Sequence, residues 1–255
     1  MKKRPCSWLV VLLFLGAVAA HGEDQDSFKV VYDDFEPFIW EEDGATQGLY
    51  VDILTELFEK RLGVAVEYKK YPWARAQLSV AEGQADGMVT LLNAARLEYA
   101  EATEVPFVES PLGVFTYQDH PRFEAMQRIE TLDDLRDYRI LTYLADGWAT
   151  SELQDHDVEY DGHSFSHIFN MLIFRRGDVF PQAEEITQHN INRLRLEDQI
   201  VQVPNVVLDT LSFRLLIGKK SPFISLLPKI EEALREMQSD DVLNEFYNRY
   251  EPETP

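Results

Sequence analysis

Hydrophobic positions along the chain switch repeatedly between a period of two and a period near 3.6, so strands and helices are expected to alternate. Phe28–Tyr32 (FKVVY) reads as a short strand. Residues 52–62 (DILTELFEKRL) carry apolar side chains at helical spacing and run into Gly63, a suitable helix stop, and residues 64–68 (VAVEY) alternate again. Together these segments predict a β-α-β unit with the helix as crossover. A second helix is predicted over Trp73–Glu82, stopped by Gly83, and a third strand over residues 86–90. Parallel α/β architecture is the default for that order.

Residues 119–137 are polar and loop-like, and then the order starts afresh. A strand is predicted over 139–144 (RILTYL), a helix over 149–154, an extended segment at Val158–Tyr160, a helix over 165–175 and an extended segment at 178–180. This pattern predicts a second, smaller α/β lobe. Beyond Pro204 come a strand candidate at 211–217 and two closing helices at 224–238 and 241–250. No repeat or low-complexity segment appears.

The N-terminus adds a compartment. Lys2, Lys3 and Arg4 precede an uncharged apolar stretch, and Ala17-Val18-Ala19-Ala20 supplies the small residues a signal peptidase requires. Cleavage is expected after Ala19, Ala20 or Gly22, so residues 1–22 are expected to be a signal peptide. The apolar stretch, about 14 residues, falls short of the ~20 needed to cross a bilayer core as a helix. Cys6 precedes that stretch and is expected to leave with the signal, and it is the one cysteine of the chain. Disulfides and thiolate metal sites are therefore not expected.

Charge narrows the partners further. Asp and Glu number 45 against 24 Lys and Arg, for a formal net charge of −21 dispersed along the chain. Such a field disfavours nucleic acid and anionic membrane surfaces and suits a highly solvated surface. A soluble monomer acting on small molecules is the expectation.

The order of short motifs is more specific than any one of them. Pro37-Phe38, Gly48-Leu-Tyr-Val-Asp52, Pro72-Trp73, Gly83-Gln-Ala-Asp86, Arg96 ten residues on, Pro106-Phe107 and Thr131-Leu-Asp-Asp-Leu135 follow one another through the chain. This order resembles the family 3 extracellular solute-binding proteins, the periplasmic receptors of polar amino acid ABC transporters. The resemblance spans about residues 28–250. It implies a periplasmic-binding-protein-like type II fold: two α/β lobes joined by two crossover strands, with a ligand cleft between them. Lobe one would comprise 27–113 plus 208–255 and lobe two 114–207, with crossovers near 112–118 and 206–212. The implied function is capture of a small polar, carboxylate-bearing solute by hinge closure and its delivery to an ABC transporter permease in the inner membrane. No cofactor is implied.

The family's Arg after the G-x-x-D strand holds the ligand carboxylate, which maps to Arg96 here, and a planar guanidinium does this with two parallel charge-assisted bonds. The alternative for Arg96 is a surface arginine paired with Glu98 or Glu101. Phe35 stands where the family sets an aromatic shelf and Trp73 in the next strand-to-helix loop, although both also suit a packed core. Thr90, at a strand end, offers a hydroxyl. Arg75 opens a helix, where the dipole favours anions over cations, so a nearby negative partner is expected, either a ligand or Asp33, Asp34 or Glu36.

The second lobe departs from the pattern. After 139–144 the family carries Gly followed by Thr or Ser, whereas here the loop reads Ala145-Asp146-Gly147-Trp148-Ala149-Thr150. The family's ammonium-binding acid would fall near Ala183, with Glu184 and Glu185 adjacent but out of register. Asp146, Trp148 and Glu184 are the second-lobe candidates, Trp148 through its ring face. These departures leave open a modified amino acid, another small carboxylate or an amine as the ligand.

His163 and His167, four apart, form a metal pair on paper, but two ligands do not complete a site. Two other functions remain in view. One is a ligand sensor for a separate signalling partner. The other is a dehydratase-like enzyme on the same fold, with Glu184, Asp146 or Asp33 as general acid. No catalytic motif such as G-x-S-x-G is present, so the expectation is a binding protein and not an enzyme.

Overall fold

The computed structural model of the protein describes residues 27–162 and 164–250. The expected signal peptide and His163 lie outside the described residues. Strand β1 (Phe28–Tyr32) leads into a hairpin of β2 (Trp40–Glu42) and β3 (Ala45–Gln47). Helix α1 (Leu49–Leu54) continues as a π-helical segment, Thr55–Arg61, and buries Leu49, Ile53, Leu54, Leu57 and Phe58 against the sheet. The apolar spacing read over 52–62 is the buried stripe of this element.

β4 (Val66–Lys70) begins two residues later than the alternation suggests: Val64 N donates to Phe58 O of the preceding helical segment, and Ala65 O accepts from Phe28 N. α2 (Trp73–Glu82) ends at Gly83, whose φ of 80° and backbone N–H to Val80 O make the left-handed cap that glycine adopts without a Cβ clash. β5 (Gly87–Thr90) follows, then α3 (Ala94–Tyr99) and β6 (Ala100–Ala102). β4, β1 and β5 pair in parallel, as the β-α-β pattern requires.

β7 (Val108–Tyr117) then leaves the first half of the molecule. The segment read as loop holds α4 (Phe123–Met126) and a 3₁₀ turn, Leu132–Asp137, opened by a reciprocal capping box between Thr131 and Asp134. The second half contains β8 (Ile140–Thr142), α5 (Gly147–Glu152), β9 (Val158–Tyr160), α6 (Phe165–Ile173), β10 (Phe180–Ala183) and α7 (Glu184–Leu194). β8 and β9 pair in parallel, and β10 runs antiparallel to β7. The chain returns through β11 (Ile200–Gly218), then closes with a 3₁₀ turn, α8 (Leu227–Ser239) and α9 (Val242–Tyr250).

β11 is far longer than the expected strand at 211–217 because it serves both halves. Its first part pairs with β7 at Ile200–Tyr117, its middle pairs with β7 at Phe213–Val108, and its end pairs antiparallel with β5 and β6. The β7–β11 register slips between Gln202 and Val207 and again between Val207 and Thr210, beside Pro204 and a left-handed Asn205 with φ 62°. Those bulges bend the paired strands where they pass between the halves. The fold is therefore two α/β lobes joined by two crossover strands, with strand C-termini of both lobes facing a shared cleft. Among the described residues no helix is long and apolar enough to cross a membrane.

Candidate functional site

A cavity of about 600 Å³ lies between the lobes, within the range typical of small-molecule pockets. Its first wall comes from the ends of β1 and β5 and the start of α2: Asp33, Asp34, Phe35, Trp73, Thr90 and Leu91. Arg96 joins them from α3. The second wall comes from the β8–α5 loop, the start of α6 and β10: Tyr143, Asp146, Trp148, Phe165 and Gln182. Leu112, Leu211 and Phe213 on the crossovers form the back. Carboxyl ends of parallel strands are where open α/β sheets place their ligands.

Arg96 is buried, 3% exposed, and is not the surface arginine of the alternative reading. Asn93 caps the short α3 by accepting from Arg96 N at 2.8 Å, which fixes the turn that points the side chain inward. Its Nε donates to Gln77 Oε1 at 3.0 Å and Nη1 to Leu91 O at 2.7 Å, and the guanidinium lies 5.5 Å from the Trp73 ring centre. Burial lowers its pKa from the ordinary value, opposed by Tyr99 and by Asp146 of the other lobe. An arginine remains charged under these conditions, so the wall carries a desolvated cation.

The three carboxylates of the cavity are each committed to neighbours. Asp33 accepts from Trp73 N at 3.0 Å and Asp34 N at 2.9 Å, tying β1 to the first turn of α2. Asp34 pairs with Lys70 at 2.5 Å and accepts from Glu41 N. Asp146 caps α5 by accepting from Trp148 N and Ala149 N at 3.0 and 3.1 Å, and it takes the Thr142 hydroxyl at 2.6 Å. The preceding Ala145 has φ 62°, a left-handed conformation that costs a non-glycine residue about 1 kcal/mol or more. That strain sits in the loop where the sequence departs from its pattern.

Aromatic rings supply most of the remaining surface. Phe35 of the first lobe stacks toward Phe165 of the second with centroids 6.3 Å apart and planes at 28°, and it meets Phe213 at 5.8 Å. Phe165 meets Tyr143 edge-on at 5.6 Å. The Tyr50 hydroxyl, behind the first wall, has no hydrogen-bond partner among the described residues, and the Tyr143 hydroxyl is buried beside the Gln182 side chain. Burial raises both phenol pKa values well above normal, with Tyr247 adding to the shift at Tyr50; at Tyr143, Asp146 adds to it and the Gln182 side chain opposes it. Both phenols therefore stay protonated and able to donate.

The structure brings together Arg96, Phe35, Trp73, Thr90, Asp146 and Trp148 around this cavity. Two candidates are placed elsewhere. Arg75 is exposed and stacks over Tyr71 at 4.5 Å, because the first turn of α2 points it away from the cleft. Glu184 opens α7 and accepts from Gln202 Nε2 on β11, so its carboxylate packs against the crossover near Gly113. Burial raises the Glu184 pKa, Gln202 opposing and Glu185 adding. Gln182, two residues earlier, is the side chain that reaches the wall. His167 faces Asp161 at 3.9 Å, and no group of three or more His, Cys, Asp or Glu among the described residues is placed to hold a metal ion.

Tyr50, Tyr143, Phe165, Gln182 and Phe213 line the cavity without having been singled out in the sequence. Phe165 carried a signal: Ser164 before it is an N-cap residue, and the side chain accepts from His167 N. Helix starts that follow strand ends are the places to look.

The lobes also touch beyond the cavity. Glu36 Oε1 meets His189 Nε2 at 3.1 Å and Glu36 Oε2 meets Arg193 Nε at 3.1 Å, while Asn190 Nδ2 donates to Glu36 O at 2.9 Å. Gly147 of α5 packs so closely on the first lobe that an added Cβ would run into Asn93 Nδ2 and lie 3.1 Å from Arg96 Nη2.

Residues 29–253 match the family described as bacterial extracellular solute-binding proteins, family 3. The chain belongs to that family. No curated protein matches the sequence significantly. Among solved structures, the protein is similar to a histidine kinase sensor domain with similarity to periplasmic binding proteins, at 18% identity and a TM-score of 0.74 over 89% of this chain and 98% of that one. It is similar to the arginine-, lysine-, histidine-binding protein ArtJ from Geobacillus stearothermophilus, at 16% identity and a TM-score of 0.71 over 89% and 97% of the two chains. A third is an ancestral amino acid-binding protein that is a precursor of cyclohexadienyl dehydratase, at 18% identity and a TM-score of 0.68 over 89% and 96%. At these identities the likenesses speak for the fold alone. The second wall holds rings and an amide, where the resemblance placed an ammonium-binding acid near Ala183.

Proposed function

We propose that the protein is a periplasmic receptor that closes its two lobes around a small carboxylate-bearing solute and delivers it to an ABC transporter permease. In this reading residues 1–22 are the cleaved signal, lobe one is 27–113 plus 208–255, and lobe two is 114–207. Arg96 holds the solute carboxylate, with Thr90 beside it, while Phe35, Trp73 and Trp148 pack on its body. The observation that carries the reading is the buried guanidinium of Arg96 in the wall of an interlobe cavity. A desolvated guanidinium suits a carboxylate better than any neutral group.

Closure follows from differential affinity. A solute that touches Arg96 on one lobe and Trp148 or Phe165 on the other binds the closed form more tightly than the open one, and shifts the population accordingly. The bulged β7–β11 pair is the element that bends. Elimination chemistry is less well supported than binding. Glu184, the carboxylate with the raised pKa, lies away from the cavity lining, and the oxygens of Asp33 and Asp146 are taken up by backbone N–H groups of their own lobes.

The test is a calorimetric and small-angle scattering screen of the mature protein against amino acids, organic acids and amines, with NMR on each hit. A submillimolar solute that lowers the radius of gyration and emerges unchanged is the expected result. Chemical conversion of the hit, or no binding across the panel, would defeat the reading.

A further inference from the structure

The cavity has one cation, three occupied carboxylates and many rings, and that combination bears on the solute's chemistry. An α-amino acid brings a carboxylate and an ammonium, and burying the ammonium without a partner carries a large desolvation cost. Asp146 has both oxygens engaged by its own helix and by Thr142. Asp33 uses both oxygens on backbone N–H groups, and Asp34 is neutralised by Lys70. From β10 the second lobe offers Gln182, whose Oε1 already accepts from Ala183 N at 2.8 Å. Every carboxylate that lines the cavity among the described residues already accepts at both oxygens, so an ammonium would have to share its acceptor.

The donors that remain suit oxygen. Arg96 supplies charge, and Thr90 adds a hydroxyl at the same wall. Around them stand Phe35, Trp73, Trp148, Phe165 and Phe213, an apolar enclosure that gains from contact with a ring or hydrocarbon body and has little to offer a charged side chain. The geometry points to an aromatic or similarly apolar carboxylic acid without a free ammonium as the solute of this cavity, its carboxylate on Arg96 and its body between the rings of the two lobes. This assignment rests on the receptor reading given above and narrows it.

Titration calorimetry with four probes tests it on the wild-type mature protein: 3-phenylpropanoate, phenylalanine, phenethylamine and arginine. The first two differ by one ammonium, the third lacks the carboxylate, and the fourth replaces the ring by a charge. The expected order places 3-phenylpropanoate first, at least about tenfold tighter than phenylalanine, as for an ammonium buried without its partner. Phenethylamine and arginine should show no measurable binding. Phenylalanine equal to or tighter than 3-phenylpropanoate would overturn the assignment, as would preferential binding of arginine, and both would leave the receptor reading standing; preferential binding of phenethylamine, which has no carboxylate, would overturn both. No binding by any of the four also overturns it, whereas the receptor reading fails only if the wider panel is silent too.

Discussion

The two walls of the cleft are built by similar α/β lobes but are chemically unlike. The first lobe presents charge: Asp33 and Asp34 at the end of β1 and the buried Arg96 on α3. The second presents Tyr143, Trp148, Phe165 and Gln182, and its one cavity carboxylate, Asp146, is turned back into the cap of α5. The contrast teaches that ionic recognition is concentrated on one side while the other side acts through shape and ring contact. In the proposed receptor, closure would contribute mainly by removing water from the Arg96 site, which strengthens a charge-assisted bond to the solute.

The sharpest way to break this comparison is Arg96→Ala. The substitution leaves Gln77 Oε1 and Leu91 O without their donor and removes the cation of the first wall. Solute affinity should fall about 100-fold or more by calorimetry. Arg96→Lys, which keeps charge but not the planar fork, should recover only part of the loss. If Arg96→Ala binds as tightly as wild type, the first wall is not the ionic one.

Asp146→Ala tests the other side with an intermediate effect. Two backbone N–H groups of α5 lose their acceptor, so stability should fall by about 1–2 kcal/mol in chemical denaturation. Affinity should change less than for Arg96→Ala. A larger loss of affinity than of stability would make Asp146 a ligand group and erase the asymmetry.

The smallest effect belongs to Glu184. Its folded pKa is raised above the reference value of 4.5, so the fold favours its protonated form. The stability this provides is fully present below about pH 4.5 and is lost as pH rises through the folded value. Glu184→Gln cannot ionise and should show a flatter dependence, gaining on wild type between about pH 4.5 and 7 by no more than about 2 °C in Tm. A variant that loses stability over that range would place the charged carboxylate among the stabilising groups.

The periodic elements were legible because burial on one face imposes a period. The stripe over 52–62, the Gly83 stop and the short strands at Phe28–Tyr32 and Val158–Tyr160 all follow from it. The short hairpin β2–β3, α3, β6 and α4 went unread, and so did two longer features. β11 is broken in pattern by Pro204, Asn205 and Asp209, since a strand that serves two cores has no single buried face along its length. α7 starts with Glu184-Glu185 and has few apolar positions because it is packed from β7, β10 and α6 while leaving a charged side for Glu36. At the site, Arg96 was readable from motif order, whereas the direction of a side chain in a first helical turn was not. Arg75 and Trp73 share that turn, and only Trp73 enters the cavity.

Gly147 gives the closed state a mechanical limit. Its missing side chain is the clearance into which the ends of Asn93 and Arg96 reach, so a Cβ there would first have to displace those two side chains. A methyl group there would act as a doorstop. Each lobe would keep its own core, while Asn93 and Arg96 would have to give way before the pair could meet as closely. Foldedness and grip would come uncoupled at a residue that offers no chemistry of its own.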